Sequence, residues 1–147
     1  MSLQQWLDNS WIAKSTPSRE DIAGLVQIAE RNLADASLEG LSPDGRFTLA
    51  YDAVRCLCQA ALTASGFVVP KGGRQHERVI ESLKFTLGNE WADETDYFDR
   101  CRRGRHKSIY EQSGINQPRD ADQLLESAKK LLTATKAWLQ RDHPNLI

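Results

Sequence analysis

Five of the eight residues from Arg100 to Lys107 are permanently cationic, and His106 can add a sixth charge. The formal net charge of the whole chain is only −1, so positive potential is focused locally in this stretch. Like charges three and four residues apart repel on a helix, so local stability does not account for such a cluster. On a helix over residues 93–112, Arg102, His106 and Tyr110 fall four apart and share a face. Arg105 lies about 140° around the helix from Tyr110. Guanidinium supplies a planar donor fork for phosphate. Imidazole and phenol add directional hydrogen bonds. Arg100, Arg102, Arg103, Arg105 and Lys107 are therefore the expected phosphate or nucleic-acid contacts. A solvated basic face, or pairing with Asp96, Asp99 and Glu111, accounts for the same residues without a ligand.

The other chemistry-bearing residues give weaker signals. Lys71-Gly72-Gly73-Arg74 is glycine-rich and basic, but it lacks the GxxxxGK[ST] spacing and follows no buried strand. It reads as an entry loop to the next helix. His76 has no His, Cys or acid at ligand spacing and reads as an exposed or capping residue. His143 reads as a helix C-terminal dipole partner. Cys56, Cys58 and Cys101 are odd in number and have neither CxxC nor metal-ligand spacing, which predicts reduced thiols and no metal or cofactor.

The elements that must position these residues are helical. A chain of 147 residues with 40% hydrophobic and 27% charged residues fits one globular domain. No apolar run reaches the roughly 18 residues of a membrane span. The first residues lack a secretory leader pattern, so a cytoplasmic protein without a membrane partner is expected. Residues 1–16 hold a short amphipathic segment with Trp6, Leu7, Trp11 and Ile12. It has no basic face for a lipid surface and is expected to pack on the domain or a partner chain. Ser18 with Asp21 opens a helix whose stripe is Ile22, Leu25, Val26, Ala29 and Leu33. Ser42-Pro43 opens the most buried helix, from Phe47 through Tyr51, Val54 and Leu57 to Gly66. Phe67-Val68-Val69-Pro70 has no evident partner strand and reads as a linker. One helix is expected from His76 through Phe85 to Gly88. The basic helix follows, capped by Asp93 or Thr95 and ended by Gly114. Pro118 opens the last, with Leu124, Leu125, Ala128, Leu131, Trp138 and Leu139 on its stripe. The short connections predict an all-α fold, an antiparallel up-and-down bundle of four to six helices in a single domain over 1–147.

Three stretches together resemble the HEPN superfamily (higher eukaryotes and prokaryotes nucleotide-binding domains). These are Arg46-Phe47-Thr48-Leu49-Ala50-Tyr51-Asp52-Ala53-Val54-Arg55 with its continuation to Gly66, Asp99-Arg100-Cys101-Arg102-Arg103-Gly104-Arg105-His106 with Tyr110-Glu111, and the closing helix from Leu124 to Leu139. The resemblance runs from about residue 18 to the end. It implies a homodimer that brings two copies of an Arg-polar-x-x-x-His motif into one cleft. It also implies metal-independent ribonuclease activity in active members, and frequent pairing with a nucleotidyltransferase-type antitoxin. Carried over, Arg105 matches the motif arginine, His106 the polar residue, and Tyr110 stands where the family has histidine. A second alignment makes Arg100 the arginine and His106 the histidine. The catalytic set the resemblance implies is thus Arg105, His106 and Tyr110, and it also makes Tyr110 a candidate acceptor for nucleotide transfer. A phenol near pKa ~10 does not exchange protons at neutral pH as an imidazole near ~6.5 does. Three readings stay open, in this order: an RNA-, nucleotide- or phosphate-binding module, a ribonuclease toxin using His106, and an interaction domain whose arginines pair across an interface.

Overall fold

The computed structural model describes the backbone of residues 1–110, 114 and 116–147, and their side chains except at 106–110. The fold is an all-α bundle built on four long helices: α2 (Arg19–Ala36), α3 (Pro43–Ala64), α6 (Ala92–Tyr110) and α7 (Pro118–Asp142). Shorter pieces complete it: α1 (Leu3–Asp8), α4 (Gln75–Glu81) and α5 (Leu83–Thr86).

The starts and stops follow from local chemistry. Ser18 Oγ accepts from the Asp21 amide and Ser42 Oγ from the Gly45 amide, so both helix N-termini satisfy an otherwise orphaned donor. Pro43 and Pro118 each occupy the first turn, where no amide partner is needed. Arg46 then joins α3 to the end of α2. Its guanidinium donates to the Ala36 and Leu38 carbonyls, both at 2.8 Å, satisfying acceptors that the helix end leaves open. Gly66 ends the α3 connection at φ 92°, a conformation that costs a residue with a Cβ.

α3 is the central element, packed against α2, α7, α4 and α6. Tyr51, Val54, Leu57 and Cys58 have no exposed surface, and Ala50, Ala53, Ala60 and Ala61 let neighbours close in from the remaining sides. α7 contributes Leu124, Ala128, Leu131 and Leu139 to the same core. Cys56, Cys58 and Cys101 are free and buried. Burial pushes the Cys101 thiol up to about 11 and raises the other two, so none is poised as a nucleophile. Among the described residues, no helix is long and apolar enough to cross a membrane.

Three details differ from expectation. Phe67–Val68 pairs antiparallel with Ala13–Lys14, a two-residue ladder (β1, Ala13–Lys14; β2, Phe67–Val68) whose register sets Ala13 opposite Val68. The helix expected over His76–Phe85 breaks at buried Ser82, whose hydroxyl donates to the Val79 carbonyl at 2.7 Å and competes with the regular ladder. α6 begins at Ala92, directly after a 3₁₀ turn at Asn89–Trp91, so Asp93 lies inside its first turn. Thr95 bonds back to the Trp91 carbonyl instead of capping the helix. α1 ends at Asp8. Trp6 then packs edge-on against Trp11 and Phe85, and the Arg78 guanidinium lies 4.7 Å above the Trp11 ring. The N-terminal segment thus clamps α4 and α5 to the bundle.

Candidate functional site

α6 buries Phe98 and Cys101 against the core, which turns the positions one helical step away toward α3 and α4. Arg102 and Arg105, three apart, take that direction. Their side chains are 25% and 21% exposed, so both guanidiniums are partly withdrawn from water. They line a cleft of about 260 Å³ whose base is Tyr51 of α3 and whose other wall is Gln75, His76 and Glu77 of α4. Gly72 and Gly73 form its lip, with open space where a Cβ would stand.

Among the described residues, the arginines of the cationic cluster do not share one surface. Arg103 is 59% exposed and bonds Asp99 at 2.8 Å. Arg100 is exposed and lies over the Tyr97 ring at 5.9 Å, outside the cleft that Arg102 and Arg105 line. Asp99 also accepts from Arg102 Nε at 2.9 Å, which orients that side chain and leaves its Nη2 edge 3.9 Å from Glu77. Arg105 pairs with Asp52 at 3.4 Å and stands 5.4 Å over the Tyr51 ring. The side chains of His106, Lys107 and Tyr110 lie outside the described residues, as does Glu111.

Two neutral groups complete the cleft. Tyr51 Oη is buried and has no hydrogen-bond partner among the described residues. Burial raises its pKa far above the usual phenol range, against the pull of Arg105, Arg55 and Arg102, so it stays a neutral O–H donor. A buried hydroxyl left without a partner costs about 1–3 kcal/mol. His76 is exposed, as expected of it, but it lies within the field of the arginines. Partial burial, then Arg55 and Arg105, pull its pKa below the ordinary imidazole value, with Asp52 opposing. The imidazole is thus held neutral at physiological pH.

The residues that sequence reasoning passed over are Tyr51, His76, Glu77, Asp52 and Arg55. One signal for them existed. Asp52 and Arg55 are charged residues just after Tyr51 in the largely apolar middle of α3, on the side where Asp52 meets Arg105 of α6. Among the described residues, no three His, Cys, Asp or Glu side chains approach closely enough to hold a metal ion. The arrangement offers instead two guanidinium forks and two neutral directional groups, the donor set of an oxyanion site. Compared with protein-family models, curated proteins and solved structures, the chain matches none.

Proposed function

We propose that this chain is a phosphate-binding module that engages RNA or a nucleotide through the cleft between α3, α4 and α6. The observation that carries the reading is the convergence of Arg102 and Arg105, both partly buried, on one polar cavity. Arg105 lies 3.4 Å from Asp52, and the Nη2 edge of Arg102 lies 3.9 Å from Glu77 at the cleft wall. Partly exposed pairs of this length contribute at most about 1 kcal/mol to stability. The HEPN-like homodimer, and a nucleotidyltransferase-type partner, belong to this proposal through the resemblance of the Arg46–Arg55 and Asp99–His106 stretches. Sedimentation tests the dimer.

The decisive measurement is retention of a mixed RNA pool in EDTA at several salt concentrations. Arg102→Ala and Arg105→Ala should each lose retention about tenfold, and exposed Arg103→Ala should change it less than threefold. Equal retention by all three variants overturns the reading. A second reading, metal-independent RNA cleavage, is favoured by the neutral imidazole of His76 in the same cleft. It requires cyclic-phosphate products in that same assay.

A further inference from the structure

Resting on that binding reading, we infer that the cleft takes a terminal phosphomonoester end-on, with Tyr51 Oη and the guanidiniums of Arg102 and Arg105 as donors to its three non-bridging oxygens. The shape of the cleft is the first ground. One lining residue, Tyr51, has no exposed surface and belongs to the bundle's central helix, so the core closes the cleft on that side. A chain-internal phosphodiester needs an exit for each of its two ester oxygens, whereas a terminal phosphate needs one. Size points the same way. At about 260 Å³ the cavity falls below the roughly 300–1,000 Å³ that encloses a drug-sized ligand, so it fits a phosphate group with the remainder of the nucleotide outside.

The lining supplies the second ground. Nucleobases are recognised by stacking on open aromatic or guanidinium faces. Of the two rings among the cleft's described residues, Tyr51 is buried and already lies beneath Arg105, and the other is the small imidazole of His76. The remaining described side chains of the cleft are polar or charged, so recognition falls on the phosphate. Tyr51 Oη is the third. It is a neutral donor kept in the interior without an acceptor among the described residues, next to two guanidiniums. A monoester brings one more non-bridging oxygen than a diester, and one more charge near neutral pH. That extra oxygen is the acceptor Tyr51 lacks.

The test compares fluorescently labelled oligoribonucleotides of one sequence that carry a 5′-phosphate, a 3′-phosphate or hydroxyls at both ends, binding to the full chain at pH 7.5. At least one phosphate-ended strand should bind tenfold or more tightly than the hydroxyl-ended strand. A nucleoside monophosphate competes with it if the source is a free nucleotide, and does not if the strand itself is required; either result supports the end-on site. Tyr51→Phe should remove most of the preference while leaving the melting temperature unchanged or raised, since it deletes a hydroxyl that has no partner among the described residues. Equal binding of all three strands, lost in Arg105→Ala, overturns the end-on site and leaves the general phosphate reading standing. No binding of any strand overturns both. A Tyr51→Phe variant that keeps the full preference also overturns the inference.

Discussion

Glu77 stands 3.9 Å from both Arg74 Nε and Arg102 Nη2, one carboxylate shared loosely between two guanidiniums at the cleft wall. It neutralises the site when empty and repels any anion that arrives. Glu77→Gln keeps the shape and removes the charge, so phosphate-ended RNA should bind about three- to tenfold more tightly, a gain of roughly 0.7–1.4 kcal/mol. The melting temperature should shift little, because partly exposed pairs of this length contribute at most about 1 kcal/mol. Weaker binding of the glutamine variant would instead make Glu77 a positioning residue for Arg102. His76 adds a pH dependence at the same scale. Its folded pKa lies below the unfolded value, so the free protein resists its protonation. A bound phosphate offsets the arginine field and favours the imidazolium, so binding takes up a proton. Affinity should therefore rise as pH falls from about 8 toward about 6.5, and His76→Gln should flatten that limb. Calorimetry in buffers of different ionisation enthalpy reads the proton directly.

At the scale of elements, the connection from α6 to α7 is tied back to the start of α3. Asp44 accepts from the Gly114 amide, from the Asn116 amide at 3.2 Å and from Asn116 Nδ2 at 2.9 Å. The Gly114 bond, and then those from Asn116, hold the Asp44 carboxyl below the usual carboxylate range. A depressed folded pKa gives stability that is complete above the unfolded value near 3.8 and is lost as pH falls through the lower folded one. Hydrogen exchange at the Gly114 and Asn116 amides should therefore accelerate below about pH 4, and Asp44→Asn should remove that step. The helices at this scale were readable from their chemistry: Ser18 and Ser42 cap, Pro43 and Pro118 open, and the stripe from Leu124 to Leu139 is buried. Local patterns do not carry what depends on distant partners. Phe67–Val68 finds Ala13–Lys14 more than fifty residues away, and Ser82 ends α4 because it is buried against the core. The candidate site divided along the same line. Arg102 and Arg105 could be named from their spacing, but Tyr51 reads as core, and His76 reads as solvent until α4 is docked beside α6.

For the whole molecule, α3 is where stability concentrates. Leu57 has no exposed surface and lies on the helix that α2 and α7 both cover, so Leu57→Ala should cost about 2–5 kcal/mol in urea unfolding. The same helix places Tyr51 in the cleft lining, so the element that holds the core also sets the floor of the site. Net charge decides how that site meets nucleic acid. With a formal charge of −1 the molecule as a whole does not attract a polyanion, and capture depends on the cleft alone. A protein gripping single-stranded nucleic acid loses affinity with salt at a slope of about −0.7 per phosphate contact. One terminal phosphate carrying up to two charges counts as one or two contacts, so log K against log salt should run at about −0.7 to −1.4. A slope beyond about −3 would mean that the strand follows an extended basic track. Exposed Arg100 and Arg103 would then have to join the binding surface, and their alanine variants would flatten the slope where Tyr51→Phe does not.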